Sequence, residues 1–258
     1  MTKTPVDEHT KSSALVRRRV IELAFGASKG YVSKSNEPDP SELTSLYRHR
    51  FTERDLETKR EMWQVLAKRV FQQYLPPAGT VVDLGAGNCE LVNSLVAARR
   101  VAVDLNPDTI ECAEAGVEVL LTPSEDLSSL DNESVDAVFT SNFFEHLPNK
   151  NALLRTLEEA HRILRPGGRI VVLMPNIRYL PGRYWDYFDH HLPLTHLSLS
   201  EGLELAGFEV QRVVPRFLPY TVKDSPFRVS AFMVRAYLAM PIVWPILGRQ
   251  MLVVGARR

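Results

Sequence analysis

The fold is indicated by one stretch, Val81-Val82-Asp83-Leu84-Gly85-Ala86-Gly87-Asn88-Cys89-Glu90. Apolar residues followed by an acid and two glycines predict a short buried strand that ends in a tight turn. Leu91, Leu95 and Val96 then resume at helical spacing. Glycine is needed in such a turn because a Cβ would keep the backbone away from a ligand. Strand, glycine turn and helix together predict the first half of a nucleotide-binding unit.

Two acids mark the ligand side of this unit. Asp83 ends the first strand, where open α/β sheets bind ligands, and Asp104 ends the next strand at the spacing expected of a ribose-binding acid. A dinucleotide fingerprint requires a third glycine, but Glu90 occupies that position. Because a carboxylate repels a pyrophosphate, the pattern disfavours NAD and FAD. It favours an adenosine ligand that carries no phosphate.

Four landmarks in order resemble the class I S-adenosylmethionine-dependent methyltransferases. They are Asp83-x-Gly85-x-Gly87, Asp104-Leu105-Asn106, Ser134-Val135-Asp136-Ala137-Val138-Phe139 and Leu164-Arg165-Pro166-Gly167-Gly168. The resemblance covers roughly residues 80–214. It implies an α/β fold with a Rossmann-like, seven-stranded, mostly parallel sheet whose last strand is antiparallel. It also implies a domain over residues 76–258 and S-adenosyl-L-methionine as the cofactor.

The same resemblance implies a set of cofactor-binding residues. Members of the family commonly place an acid just after the third strand to contact the adenine amino group. Here Pro123 occupies the usual position of that acid, so the contact could come from Glu125 or from Asp126. The expected cofactor-binding residues are Asp83, Gly85, Ala86, Gly87, Asp104, Leu105, Ser124, Glu125 and Asn142.

Composition limits the partners and the compartment. The chain has 258 residues, 45% of them hydrophobic, which suits one α/β domain with additions. Thirty-one basic residues balance 31 acidic ones, so no nucleic-acid partner is expected. Cys89 and Cys112 are expected to be reduced core thiols. The N-terminus lacks an apolar run typical of a signal peptide, which predicts a cytoplasmic protein.

Residues 1–75 predict an N-terminal helical arm or cap. An apolar stripe from Leu15 to Ala24 lies beside three arginines, and a second helix is expected from Thr52 to Tyr74, where Pro76 stops it. This second helix should pack on the sheet. In the family such an arm often closes over the cofactor, so Tyr47 and Arg50 are candidate substrate-binding residues. The alternative is that both are ordinary surface residues.

Residues 216–249 predict a helical insertion between the sixth strand, expected at residues 208–214, and the last strand, expected at residues 250–255. Arg235 and three prolines interrupt its apolar stretch, which is too short and too broken to span a membrane. Two interpretations stay open. The insertion could form a lid over the active site, or it could make a peripheral contact with a membrane or a lipid-linked acceptor.

A long aromatic segment without periodicity, residues 176–197, follows the fifth strand. Connections of this length are usually functional. We predict His190 or His191 as a general base oriented by Asp189, because imidazole titrates near neutral pH. An alternative is that these histidines only hold the loop together by hydrogen bonds. No metal site is expected, since the ligand spacing is not tight. Further candidate substrate-binding residues are His146, Tyr184, Trp185 and His196.

The predicted reaction is methylation of a hydroxyl on a glycan-type or other small acceptor. The segments 47–51, 141–147 and 189–195 resemble a bacterial methyltransferase subgroup associated with polysaccharide and other glycan-building pathways, which suggests the acceptor only by analogy. N-methylation of a small amine is the next alternative. A catalytically silent cofactor-binding module is a rival, and a nucleotide-dependent oxidoreductase is opposed by Glu90.

Overall fold

A computed structural model describes residues 53–220 and 230–258. Within these residues the chain alternates between strands and helices. The strands are β1 (Thr80–Leu84), β2 (Arg99–Asp104), β3 (Val117–Leu121), β4 (Val135–Ser141), β5 (Leu164–Pro175), β6 (Phe208–Leu218) and β7 (Gln250–Arg257). The α-helices are α1 (Glu53–Leu66), α2 (Glu90–Ser94), α3 (Thr109–Cys112), α4 (Lys150–Ile163), α5 (His196–Leu205), α6 (Ala231–Leu238) and α7 (Trp244–Leu247). A π-helical turn, Ala67–Phe71, extends α1.

The strands form one sheet in the order β3-β2-β1-β4-β5-β7-β6. β1 to β5 are parallel to one another, whereas β7 is antiparallel to both β5 and β6. The predicted mostly parallel Rossmann-like sheet is therefore confirmed. The strand order reverses between β1 and β4, and the crevice outside the carboxyl ends of strands at such a point is where open α/β sheets bind ligands.

Both faces of the sheet are buried, which explains the near-continuous apolar runs of its strands. Val82, Val138 and Val172 pack on one face with α4 and α5. Val81, Phe139 and Val171 pack on the other face with α1, its π-helical turn and the C-terminal helices. The alternation of neighbouring residues between the two clusters follows from the two-residue period of a strand.

The helix predicted ahead of the first strand is present and packs on the sheet as expected. Phe71 meets Phe139 of β4 edge-on, with 4.9 Å between ring centroids, and Trp63 adds a second T-shaped contact to Phe139 at 6.3 Å. Such aromatic contacts favour this geometry over stacked faces. Residues 1–52, with the first predicted helix of the arm and the candidates Tyr47 and Arg50, lie outside the described residues.

Local hydrogen bonds set the bounds of two helices, and one strand is longer than predicted. α3 has only four residues, and Asp104 Oδ1 and Asn106 Oδ1 accept from main-chain N–H groups and form turns ahead of it. α5 begins at His196, because Thr195 is the N-cap and Ser198 closes its capping box. β6 continues to Leu218, beyond the expected end at residue 214.

The predicted insertion is largely helical over residues 231–247, whereas its first residues, 216–218, belong to β6. Its helices α6 and α7 are joined by a 3₁₀ turn, Pro241–Val243, and residues 221–229 lie outside the described part. Val234 is buried, and Trp244 packs edge-on against Phe217 of β6 with 5.0 Å between the ring centroids. Among the described helices, none has the length and apolar character that crossing a membrane demands.

Candidate functional site

The two glycines after β1 both have positive φ, +70° for Gly85 and +51° for Gly87, which L side chains rarely adopt. Their surroundings differ. A Cβ added to Gly85 would lie 2.4 Å from Cγ of Phe143, whereas a Cβ added to Gly87 would meet no atom within 4 Å. Gly85 is therefore required by the packing of Phe143 as well as by its backbone conformation. Gly87 leaves open space at the mouth of the crevice.

Asp104 lies beside this space at the end of β2. Its Oδ2 accepts from the Gly87 N–H at 2.7 Å, and its Oδ1 accepts from the Asn106 N–H at 2.8 Å. Each carboxylate oxygen offers two lone-pair sites, so both can still accept from a ribose hydroxyl. The next side chain, Leu105, is 54% exposed and offers an apolar surface beside the carboxylate. Asp104 and Leu105 therefore fit the sugar and base of an adenosine.

The crevice is strongly acidic. Asp83 is 3% exposed, and its burial raises the pKa of its carboxyl well above the usual range. The carboxylates of Glu90 and Asp104 raise it further. Burial also raises the pKa of Asp104, partly opposed by the N–H groups of Asn106 and Gly87. A concentration of negative charge at the helix start disfavours a pyrophosphate and favours a cationic ligand.

The segment after β3 faces the helix α4. The Ser124 hydroxyl is buried, 2.7 Å from Oγ1 of Thr156, and Glu125 Oε1 accepts from Arg155 Nη2 at 2.6 Å. Both side chains are thus held by protein partners, which leaves the main chain as the part of this segment best placed for adenine. Asn142, after β4, is exposed and has φ of +47°, and its N–H donates to Leu173 O at 2.9 Å.

A second group of ionisable side chains lies after β4. Glu145 and His146 belong to a 3₁₀ turn, Phe144–His146, and the later loop brings Asp189 and His190 against them. The Nδ1 atom of His146 is 2.9 Å from Asp189 O and 3.3 Å from Asp189 Oδ2. The rings of His146 and His190 are 5.1 Å apart at 74°. Two adjacent pairs that are far apart in sequence, Glu145-His146 and Asp189-His190, thus form one cluster.

The cluster revises one prediction about Asp189. Its carboxylate approaches His146, whereas the Nδ1 atom of His190 lies 2.8 Å from the main-chain oxygen of Tyr184. His191 is exposed, and its N–H donates to Glu145 O at 2.8 Å.

Three other predicted substrate-binding residues occupy different surroundings. Tyr184 is fully buried, and its hydroxyl donates to Leu192 O at 2.6 Å. This hydrogen bond stabilises the loop. Trp185 is 55% exposed. His196 Nδ1 lies 3.0 Å from Asn176 Nδ2, and its ring stacks on Tyr179. Burial lowers the pKa of His196, and the Arg178 charge adds to this effect.

Glu145 is the residue that sequence reasoning missed. It is 1% exposed, burial raises the pKa of its carboxyl to about 8, and the Asp189 carboxylate contributes. Its Oε2 atom is buried without a hydrogen-bond partner in the described part of the chain. The signal in the sequence was a glutamate between two phenylalanines and His146, but only the fold shows that this side chain points inwards.

The chain is similar in sequence to known methyltransferases. The model of a protein family described as "Methyltransferase domain" matches residues 82–172 of the chain. A "Ubiquinone/menaquinone biosynthesis C-methyltransferase UbiE" from Syntrophotalea carbinolica is 30% identical over 182 residues, which is 64% of this chain and 69% of that enzyme. A "Ubiquinone biosynthesis O-methyltransferase" from Xanthomonas axonopodis pv. citri is 34% identical over 106 residues, 37% of this chain and 43% of that enzyme.

Solved structures share the fold at lower sequence identity. A "SAM dependent methyltransferase from Archaeoglobus fulgidus" superposes with a TM-score of 0.58 at 21% identity, covering 77% of this chain and 94% of that one. The chain spans about half the length, or less, of several of the curated relatives that it matches.

Proposed function

Because the chain belongs to the class I S-adenosylmethionine-dependent methyltransferases, we propose that it methylates a hydroxyl group on a small-molecule acceptor. The observation that carries the proposal is the crevice in which Asp104 lies beside the open space at Gly87. S-adenosylmethionine supplies a methyl group on a sulfonium sulfur, and in-line attack by the acceptor oxygen breaks the C–S bond and leaves its electron pair on sulfur.

The crevice residues have separate roles in holding this cofactor. Asp104 accepts hydrogen bonds from the ribose hydroxyls, and Leu105 packs on the adenine. Glu90 adds negative charge that favours a cofactor carrying a sulfonium and an ammonium group, and Asp83 offers a hydrogen-bonding carboxyl. Gly85, Ala86 and Gly87 let the main chain approach, and the segment at Ser124 and Glu125 borders the adenine. Because positioning supplies much of the rate of such a transfer, these contacts matter for catalysis as well as for affinity.

The acceptor is proposed to bind between Asn142 and the cluster of Glu145, His146, Asp189 and His190. A hydroxyl must lose its proton during transfer, and imidazole is the side chain best suited to that task near neutral pH. His190 and His191 are the bases expected from the sequence, and the Asp189 contact adds His146 as a third candidate. The exposed ring of Trp185 is suited to stacking on a planar acceptor.

The named relatives support both O-methylation and C-methylation in quinone biosynthesis, and the first of these fits the proposed hydroxyl acceptor. The Xanthomonas relative is named for O-methylation in ubiquinone biosynthesis, and the Syntrophotalea relative is named for C-methylation in ubiquinone and menaquinone biosynthesis. A phenol-like acceptor therefore has more support than the glycan expected from the sequence. The glycan acceptor, a cytoplasmic location and a peripheral membrane contact by the insertion stay predictions.

Calorimetry with S-adenosylmethionine tests the cofactor part of the proposal. Asp104→Asn keeps the side-chain volume but removes a charged acceptor. We expect the variant to lose about 1.5–3 kcal/mol of binding free energy, which raises the Kd for S-adenosylmethionine roughly 10-fold to 100-fold. The matched control is Asp131→Asn at an exposed turn, which should bind as the wild type does. A wild type that binds neither the cofactor nor S-adenosylhomocysteine, or an Asp104→Asn variant with unchanged affinity, would contradict the assignment.

A screen with labelled methyl donor tests the acceptor. Phenols, catechols and hydroquinones should accept methyl groups, and small amines and sugars should not. His190→Ala, His191→Ala and His146→Asn should then be compared on the best acceptor, where the base variant loses turnover with little change in cofactor affinity. Incorporation into amines alone would replace O-methylation by N-methylation. A lack of incorporation with every class, despite tight cofactor binding, would favour the silent module.

A further inference from the structure

The cluster after β4 has the composition of a metal site. Glu145, His146 and His190 each offer one ligand atom, and these three atoms lie within 4.8 Å of one another. The sequence disfavours a metal because no tight ligand spacing appears in the segment after β5, and His146 lies 44 positions before His190. The fold removes this objection, since the loop after β5 returns to the 3₁₀ turn after β4.

The carboxylate of Glu145 is an independent sign of a ligand. The residue is 1% exposed, and its Oε2 has no hydrogen-bond partner among the residues described. A buried polar atom without a partner carries a desolvation cost of about 1–3 kcal/mol, so native proteins rarely keep one without a reason. A cation bound to this oxygen would remove the cost and would also offset the nearby carboxylate of Asp189.

Both histidines have the orienting hydrogen bonds that are typical of metal ligands. The Nδ1 atom of His146 faces Asp189 O at 2.9 Å and the carboxylate of Asp189 at 3.3 Å, and the Nδ1 atom of His190 faces Tyr184 O at 2.8 Å. A carbonyl oxygen can only accept, so each Nδ1 carries the proton. The lone pair then lies on Nε2, as in carboxylate–histidine–metal arrangements.

Hydrogen bonds hold the loop that carries His190 where it meets the cluster. The N–H groups of His191 and Leu192 donate to Glu145 O at 2.8 and 3.0 Å, and Tyr184 Oη donates to Leu192 O at 2.6 Å. These bonds hold Glu145 and the loop that carries His190 in a fixed relation. Ligands held in this way lose little conformational entropy when a metal binds.

We propose that Glu145, His146 and His190 bind one divalent cation of the first transition series. Imidazole nitrogens favour Zn²⁺, Mn²⁺, Fe²⁺ or Co²⁺, whereas Ca²⁺ and Mg²⁺ prefer all-oxygen ligands. Two histidines and one glutamate form a donor set that leaves coordination positions open, as in catalytic metal sites. Asp189 acts as a positioning residue that orients His146.

The open coordination positions of the cation indicate how it would act in methyl transfer, and this step rests on the proposed function. An acceptor hydroxyl bound to the cation becomes more acidic and loses its proton to solvent more readily. The resulting oxyanion supplies the electron pair for the new C–O bond, while the C–S bond breaks with its pair on sulfur. In this arrangement His146 and His190 hold the cation and do not take the proton themselves.

Cobalt alone tests the site. The full chain, freed of metal by a chelator, is titrated with Co²⁺ without cofactor or acceptor, and the visible d–d absorption is followed. The wild type is expected to bind one Co²⁺ per chain. Glu145→Gln and His190→Asn should each weaken binding at least about tenfold, and Asp189→Asn by about tenfold or more. The matched control is His161→Asn, whose histidine packs against Phe208 away from the cluster.

A wild type without saturable Co²⁺ absorption overturns the proposal, as does unchanged affinity in both ligand variants. Because Glu145→Gln changes a buried group, its folding is checked by circular dichroism. If this variant does not fold, the Co²⁺ stoichiometry of the wild type and the Co²⁺ affinity of His190→Asn decide whether the metal site exists. Calorimetry of metal-free protein with S-adenosylmethionine separates the two proposals. Cofactor binding without Co²⁺ binding overturns only the metal site, and Co²⁺ binding without cofactor binding overturns the proposed function alone.

Discussion

At the scale of single residues, the cofactor crevice combines groups that stabilise the fold poorly. Asp83 is buried beside the carboxylates of Glu90 and Asp104, and Gly85 and Gly87 hold the backbone at positive φ. Buried like charges and special backbone conformations persist in native proteins mainly where function requires them. The same residues should therefore show opposite effects on stability and on cofactor binding when they are replaced.

Asp83→Asn should separate these effects through pH. Because burial raises the folded-state pKa of Asp83, the folded chain holds this proton more tightly than the unfolded chain, whose aspartate titrates near about 3.9. The stability from this group is complete below the unfolded value and is lost as pH rises through the folded pKa. Asn has no such loss, so the variant should gain melting temperature relative to the wild type between about pH 4 and pH 7.

Calorimetric scans of both proteins across that range measure the difference. The expected gain in stability should accompany weaker binding of S-adenosylmethionine, since the Asp83 carboxyl in the proposed cofactor crevice is removed. A melting-temperature difference that does not grow with pH would show that the Asp83 carboxyl does not titrate above its unfolded value.

Gly85→Ala and Gly87→Ala should have unequal costs. Both place a side chain at positive φ, which costs roughly 1–2 kcal/mol, but only the Gly85 Cβ would strike the Phe143 ring. We expect Gly85→Ala to lower the free energy of unfolding by clearly more than Gly87→Ala in urea titrations. Gly182→Ala is the control, because Gly182 has φ of −83° and no atom within 4 Å of an added Cβ. Equal losses at positions 85 and 87 would contradict the role of Phe143.

At the scale of elements, α4 contacts both the core of the sheet and the segment that follows β3. Its residues Leu153 and Leu157 pack in the core, while Arg155 and Thr156 hold Glu125 and Ser124. The helix begins at Lys150 because Asn149 accepts from the N–H groups of Asn151 and Ala152. The cap thus fixes the end of the helix that lies next to the 3₁₀ turn bearing Glu145 and His146.

Asn149→Ala should lower the free energy of unfolding by about 1 kcal/mol, because two N–H groups at the start of α4 lose their acceptor. Urea titration with a fluorescence or circular dichroism readout measures the change. Lys150→Ala is the matched control, since an exposed first-turn residue should change stability by less than about 0.5 kcal/mol. A loss at position 149 no larger than that at position 150 would show that the cap does not stabilise the helix.

At the scale of the whole molecule, the proposed cofactor contacts come from segments that only the sheet order brings together. The glycine turn follows β1, Asp104 ends β2, and Asn142 follows β4, and these strands are neighbours in the sheet. A cofactor bound across their carboxyl ends contacts three segments at once. Its binding should therefore stabilise the described domain as a unit.

S-adenosylmethionine at a hundred times its Kd should stabilise the folded chain by about 2.7 kcal/mol. For a domain of this size that corresponds to a rise in melting temperature of about 5–10 °C, measured by differential scanning calorimetry. Asp104→Asn, at the same ligand concentration, should show about half of this rise or less. An identical rise in the variant would indicate that the cofactor does not use Asp104.

The sequence by itself determined the mostly parallel sheet, the glycine turn, the acid at the end of β2 and the helices between β6 and β7. These features are encoded locally, in two-residue and 3.6-residue periodicity and in the glycines and acids at strand ends. Only the tertiary structure decided that Asp189 meets His146 and that Glu145 points into a buried cluster with His190. Contacts between segments more than 40 residues apart follow from how the loop after β5 packs, and no local pattern records that packing.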